Sequence, residues 1–305
     1  MTPTPLIFAA TCDLAGKVRG KAFPSDQLEK RLKRGVGWTP TNVMINCFDG
    51  IGDGPFGALG DLLLIPDADA GARVRFGDGP AEHFLLGDIV TLDGEPWDFC
   101  TRSLLKSALD RLDAVAGVRL IAAFEHEFQL KGDPAVAHQA YGHAGFELQR
   151  ALCETLMGAL GEAGLSPDSI MKEYGPGQYE VVIGPEPGLR AADAAVILRE
   201  LTRSAARAVG ESATFTPIRD VASVGNGVHV HMSFVDDAGE PVGYDLDGPG
   251  GMSDLTSAFA AGVLKYLDAI VALTAPSVIS YERLTPHRCS AAYNNLGFRD
   301  REASL

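Results

Sequence analysis

Basic residues are in short supply in this chain: 26 Lys and Arg stand against 40 Asp and Glu, a formal net charge of −14. That balance argues against a nucleic-acid backbone or an acidic membrane surface as the main partner. Cysteine is scarce as well. Cys12, Cys47, Cys100, Cys153 and Cys289 are scattered, with no CxxC pair and no even framework. Such usage suits a reducing cytoplasm and excludes a disulfide-stapled secreted scaffold. No apolar run approaches the ~20 residues of a transmembrane helix. The run Leu6–Cys12 is too short and lacks the basic flank of an export signal. Neither a P-loop nor a kinase-type glycine-rich loop is present, so any nucleotide site is of another kind. There is no internal repeat or low-complexity segment.

What remains is a globular composition, 46% hydrophobic and 22% charged, over 305 residues. That length suggests about two domains. The first hundred residues are rich in Gly, Asp and Pro. Short β-like runs at Leu6–Thr11, Val43–Cys47, Leu62–Ile65, Ala72–Phe76 and His83–Leu92 are bounded there by turn residues. The glycine-dense stretch Phe48–Gly57 reads as a loop. Beyond Trp97 the period changes. Helices are expected at Arg102–Ala116, Gly145–Ala163, Ala191–Ala208 and Ser253–Leu273. Strands are expected at Val118–Leu130, Tyr179–Gly184 and Val228–Phe234. The expected fold class is α+β, with helices packed behind a mostly antiparallel sheet and a smaller β domain in front.

Three blocks carry the chemistry. In Phe124-Glu125-His126-Glu127-Phe128, spacing by two puts both carboxylates on one strand face and His126 on the other. Two buried carboxylates so close repel, and one takes up a proton unless a cation intervenes. The plainer alternative is a half-exposed strand with its charges outward. Glu173 and Glu180 bracket Tyr174-Gly175-Pro176-Gly177-Gln178-Tyr179, whose tight return lets distant carboxylates converge. His229 and His231 share a strand face after Gly225-Asn226-Gly227. Four carboxylates with one or two imidazoles suit Mg²⁺ or Mn²⁺ better than Zn²⁺. A pair of such ions commonly clamps a displacement at phosphorus.

In this order the blocks resemble the catalytic half of the glutamine synthetase family. Glu125-His126-Glu127 is similar to its Glu-x-Glu strand, and Glu173–Glu180 to its Glu-x-x-Pro-Gly-Gln-x-Glu segment. Ala213-Thr214-Phe215-Thr216-Pro217, continuing to Gly225–His231 and Ser233, resembles Ala-Thr-Phe-Met-Pro … Gly-x-Gly-x-His-x-His-x-Ser. Ser280-Tyr281-Glu282-Arg283-Leu284-Thr285-Pro286 and Arg299-Asp300-Arg301 are similar to two further segments of that family. Asp13-Leu14, Gly20-Lys21, Asp49-Gly50 and Leu64-Ile65-Pro66-Asp67 fit its front lobe.

The resemblance implies a β-grasp-like N-terminal domain at 1–98. A catalytic domain at 99–305 would follow, with a curved, mostly antiparallel sheet backed by helices. It implies that Glu127, Glu173 and Glu180 hold one metal, and that Glu125 and His229 hold a second facing the nucleotide. Gly225, Glu127 and Arg283 would meet the amino-acid substrate. His231, Ser233 and Arg301 would meet the nucleotide, with Arg283 and Arg301 also serving the chemistry. Asp49 matches a latch aspartate that reaches a neighbouring subunit's site, so a homo-oligomer with shared sites is expected. The implied reaction uses ATP and Mg²⁺ or Mn²⁺ to phosphorylate the γ-carboxylate of glutamate or an analogue, then passes the acyl group to an amine. Glutamine synthesis from ammonia and a non-catalytic oligomer are the alternatives.

Departures from the family pattern bear on the acceptor. Counting from Arg283, Cys289 stands where the family has a flap glutamate. A thiol is mostly neutral at pH 7 and holds ammonium poorly. This shifts the expectation from ammonia towards an amine-accepting γ-glutamyl ligase. Val224 replaces an asparagine, and Thr216-Pro217-Ile218 replaces Met-Pro-Lys, with Arg219 the candidate substitute for the lysine. Family members also continue beyond Leu305, through further arginines and the last ligand of the second metal. The chain is therefore expected to be a fragment or naturally short, and to leave an unpaired sheet edge.

Overall fold

The computed structural model describes residues 3–131 and 139–305. Its first sheet comprises β1 (Leu6–Cys12), β2 (Val18–Pro24), β3 (Val36–Trp38), β4 (Leu62–Val74) and β5 (Glu82–Val90), with helix α1 (Leu28–Arg34) between β2 and β3. The spatial order is β2-β1-β5-β4-β3, with β1 parallel to β5 and the other pairs antiparallel. Strand alternation sorts its side chains onto two faces. Ile7, Ala9, Leu64, Leu85 and Ile89 enter a core with α1 residues Leu28 and Leu32. Ala10, Ala72, Val74, Phe84 and Leu86 face the other way and join the larger core.

That larger core is completed from the second half of the chain. Here α2 (Thr101–Ala116) leads into β6 (Arg119–Leu130), followed by α3 (His143–Leu148), α4 (Arg150–Glu162), β7 (Pro167–Lys172) and β8 (Gln178–Ile183). The short β9 (Glu186–Pro187), α5 (Gly188–Ala208), the short β10 (Ala213–Thr214), β11 (Val228–Val235), α6 (Asp254–Thr274) and α7 (Val278–Arg283) complete the order. β6 lies at the centre of an antiparallel sheet. β8 and β9 flank it on one side, and β11 and β10 on the other. Its even-numbered residues Phe128 and Leu130 pack against Leu152, Leu156, Ile197 and Leu201 of α4 and α5. Its odd-numbered residues Glu125 and Glu127 are thereby turned to the opposite face.

Arg102 pins the two sheets together. Its guanidinium bonds Asp193 on α5 (2.9 Å), Asp88 on β5 (3.1 Å) and Asp67 on β4 (2.6 Å). The Thr101 hydroxyl adds a bond to the Cys12 carbonyl at 3.0 Å.

Several sequence expectations are corrected. Val43–Cys47 is not a strand. Pro40 opens a 3₁₀ turn over Pro40–Met44, because its fixed φ suits a first helical position. Leu62–Ile65 and Ala72–Phe76 are not separate strands: β4 runs through both, with its register shifted between Pro66 and Gly71. Pro66 has no N–H to give the ladder, and the irregularity absorbs that loss. The helix expected over Gly145–Ala163 breaks at Gln149, whose φ of −122° and ψ of 25° lie outside the helical range. Finally, α6 is long and apolar enough to cross a membrane by length and composition alone. Its charges, Asp254, Lys265 and Asp268, interrupt every uninterrupted apolar run, so run length under-read it. Ala260 is its one buried residue.

Among the described residues β11 pairs in a strand ladder with β6 alone. Val228, Val230 and Met232 are 52%, 41% and 40% exposed, which leaves a strand open on both faces.

Candidate active site

The register of three strands builds the site. Across β6 and β8, Glu127 stands directly opposite Glu180. Across β6 and β11, Glu125 stands opposite His229, and His231 opposite Ala123. All four ionisable side chains and His231 therefore share one face. Directly opposed like charges destabilise a sheet, so this arrangement is an expense of function. Glu125 lies between two imidazoles, 3.2 Å from His229 Nδ1 and 3.0 Å from His231 Nε2. Donor atoms of Glu125, Glu180 and His229 all fall within 4.8 Å of one another.

Glu180 joins Glu125 and His229, while Glu127 and Glu173 are held by other bonds. Oε2 of Glu127 accepts from Gln178 Nε2 (2.7 Å) and from the Gly227 amide (3.1 Å). Oε1 of Glu173 accepts from the Tyr141 hydroxyl at 2.7 Å. The loop that carries Glu173 is closed by its amide bonding the Gln178 carbonyl and by the Gln178 amide bonding the Gly175 carbonyl. Gly177 takes the turn at φ 60°. Beneath it, the buried Lys172 ammonium donates to the carbonyls of Glu173 and Gly175.

Arg283 lies over the Gly225-Asn226-Gly227 turn, and the glycines make room for it. A β-carbon on Gly227 would sit 2.6 Å from Arg283 Nη2, and one on Gly225 would sit 2.2 Å from the Pro217 carbonyl oxygen. The guanidinium's charge reaches Glu127, and its Nε is buried without a partner among the described residues. The charge of Arg301 reaches Glu180 and opposes its uptake of a proton. Ser233 follows His229 and His231 at period two on β11. Asp49 is not brought to this face by any described contact. It sits at φ 63° and pairs with Lys17 and Arg19, each at 2.9 Å. Arg219 donates to the Leu130 carbonyl at 2.9 Å.

The electrostatics of the face suit a bound cation. Burial, and then the charges of Glu125, Glu127 and Glu173, push the Glu180 carboxyl up to about 7. Burial also raises Glu127, against the Gly227 amide and Arg283. Carboxylates packed this closely fit a divalent cation, which would remove the repulsion that protons otherwise remove. On the opposite face, burial pushes the His126 imidazole down to about 3, so it is neutral and plays a packing part.

The raised acid gives a signed prediction. Ionised Glu180 penalises the fold. The penalty is absent below its unfolded value of 4.5 and is fully present above about 7. Glu180→Gln is therefore expected to stabilise the metal-free protein by roughly 1–3 kcal/mol near pH 8. It should change little near pH 4. Denaturant titration at the two pH values checks the sign, and added Mn²⁺ should raise the melting temperature of the wild type more than that of the variant.

Sequence reading missed three contributors. Gln178 is 1% exposed, and its amide links Glu127, the Gly225 carbonyl (2.9 Å) and Asn226 Oδ1 (3.2 Å). It lay in view inside a motif without a role. Tyr141, at φ 55°, gave no local signal, because only long-range folding brings it to Glu173. Glu302, whose carboxylate meets the backbone of the Cys289 loop, gave none either.

Two joined sheets, one presenting Glu125, Glu127 and Glu180 with two imidazoles on a single face, define an α+β protein with a site whose donors fit a divalent cation. Comparison with known proteins narrows the class. The glutamine synthetase N-terminal domain matches residues 1–97, and the glutamine synthetase catalytic domain matches residues 98–305. The chain belongs to the glutamine synthetase family.

Among curated relatives, the gamma-glutamylpolyamine synthetase GlnA3 of Streptomyces coelicolor is 32% identical over 98% of this chain and 66% of its own length. A glutamate–isopropylamine ligase of a Pseudomonas species is 30% identical over 80% and 56%. The glutamine synthetase of Thermococcus kodakarensis is 30% identical over 99% and 66%. The chain thus spans two thirds or less of the length of these relatives. A crystal structure described as a novel glutamine synthase homolog superposes with a TM-score of 0.93 at 42% identity, over 100% of this chain and 72% of the other. A GmaS/ADP complex gives 0.80 at 26% identity, over 93% and 65%. Members of this family generally depend on ATP and a divalent metal.

Proposed function

We propose that this chain builds most of the active site of an ATP- and divalent-metal-dependent carboxylate–amine ligase. It would activate the γ-carboxylate of glutamate, or a close analogue, and pass the acyl group to an amine. The observation that carries this reading is the convergence of Glu125, Glu180 and His229 within 4.8 Å. Oxygen-rich donors with one or two imidazoles suit Mg²⁺ or Mn²⁺.

A carboxylate resists attack because a nucleophile must add electrons to an anion. Phosphorylation by ATP turns it into an acyl phosphate that a neutral amine can attack. Glu125, Glu127, Glu173, Glu180 and His229 would hold the cations, which when bound stabilise charge on the phosphoryl oxygens. Arg283, seated above Gly225, would hold the substrate carboxylate and the developing phosphate charge. Arg301, His231 and Ser233 would line the nucleotide side. The incoming amine must lose a proton, and the carboxylates at the face are the nearest anionic acceptors. We further propose that the protein works in the cytoplasm as a homo-oligomer, with the exposed Asp49 loop reaching a neighbouring copy's site.

An organic amine is favoured over ammonia by Cys289, an exposed cysteine at the position of the family's flap glutamate. Two relatives bear names that specify amine acceptors, although others are named as glutamine synthetases.

A coupled assay of phosphate release with ATP, glutamate and a panel of amines tests the proposal. Release that requires both glutamate and an organic amine supports it. Release with ammonia alone selects glutamine synthesis. Tight Mn²⁺ and nucleotide binding without turnover selects a non-catalytic oligomer.

A further inference from the structure

Resting on the ligase reading, we propose that Glu302 is the positioning residue of the acceptor side: it clamps the loop that carries Cys289 against Arg283. The segment after α7 turns through three non-glycine residues with left-handed backbone, His287 (φ 66°), Cys289 (φ 49°) and Ala291 (φ 50°). A β-carbon disfavours that region at each of them, so the conformation needs support from outside the loop. Glu302 supplies it. Its Oε2 accepts the His287 amide at 2.9 Å, and its Oε1 accepts the Cys289 amide. Charge-assisted bonds of this kind are stronger than neutral ones. The Glu302 amide is itself bonded to Asp300 Oδ1 at 2.9 Å.

From the other side, Arg288 ties the same loop to the segment beneath Arg283, donating to the carbonyls of Ser223 (2.9 Å) and Val221. The buried Ser290 hydroxyl bonds the Thr285 carbonyl at 2.7 Å. Two ties therefore fix where Cys289 stands. That position matters because Ser223, which Arg288 holds, lies two residues before the Gly225-Asn226-Gly227 turn that Arg283 covers, and the charge of Arg283 reaches both Cys289 and Glu127. The family pattern places a carboxylate on residue 289 itself. Here the carboxylate comes from residue 302, and its oxygens are spent on the backbone. Glu302 thus sets the shape of the acceptor entrance.

The test uses Glu302→Ala and Glu302→Gln in the full chain, with two readouts. Hydrogen exchange at the His287 and Cys289 amides is expected to quicken by at least about tenfold, with β6 unchanged. The KM for the amine is expected to rise by about tenfold, with kcat and the KM values for ATP and glutamate within about twofold. The Gln variant keeps one acceptor oxygen and should fall between Ala and wild type, and it serves if the Ala variant folds poorly. Unchanged amine KM in both variants, with or without faster exchange, overturns this inference alone. A wild-type protein without amine-dependent turnover overturns the ligase reading, and this inference with it.

Discussion

Glu127→Ala is expected to abolish phosphate release, lowering the rate by at least about a thousandfold. Three losses coincide at this residue. Its carboxylate belongs to the proposed metal-binding face and is the direct strand partner of Glu180. It is also the acceptor for Gln178 Nε2 and the Gly227 amide, which would be left facing an apolar methyl group. It further supplies the negative charge that Arg283 faces. The fold itself should survive, because removing one of four mutually repelling carboxylates relieves strain in the metal-free protein. Initial rates across a Mn²⁺ titration, read beside a melting curve, separate the two effects. Near-normal turnover would sink the metal assignment, and loss of turnover with loss of folding would make the residue structural.

Arg102→Met has the largest expected effect on stability. The guanidinium is 9% exposed and bonds three aspartates, of which Asp193 is 8% exposed. Asp67 and Asp88 retain water, and Asp88 keeps Lys106, so most of the cost falls on Asp193. Leaving one buried carboxylate unpaired costs about 3–5 kcal/mol. Denaturant midpoints measure that loss. Adding Asp193→Leu should recover much of it, since an apolar pair does not need charge compensation. No recovery in the double variant would mean that Arg102 acts through its packing rather than its charge.

Legibility from sequence followed the reach of the interactions. The shared face of Glu125 and Glu127, and that of His229 and His231, follow from a period of two within one strand, and both stand as expected. His126 on the far face follows by the same rule and is buried with Phe215 and Phe124 around it. The long amphipathic helices α2 and α5 were legible for a similar reason, since their apolar stripes repeat within a few residues. The fusion of two short runs into β4 was not, because local propensity yields there to pairing with β3 and β5, whereas the turn at Pro40 carried a local signal, the proline itself, just ahead of the run read as a strand. The membrane-length character of α6 was hidden by charges spaced along it, and its exposure depends on what packs nearby.

By itself the sequence determined the donor set: which carboxylates and imidazoles exist, and which of them must share a strand face, because backbone geometry alone imposes that alternation. Only the tertiary structure decided which of them meet. Glu125 and His229 are 104 positions apart, Gln178 and Glu127 are 51 apart, and Tyr141 and Glu173 are 32 apart. Their meeting is fixed by strand register and loop closure, which depend on the free energy of the whole core rather than on any local stretch. The same holds for Glu302, whose hold on the Cys289 loop joins two segments that no spacing rule connects.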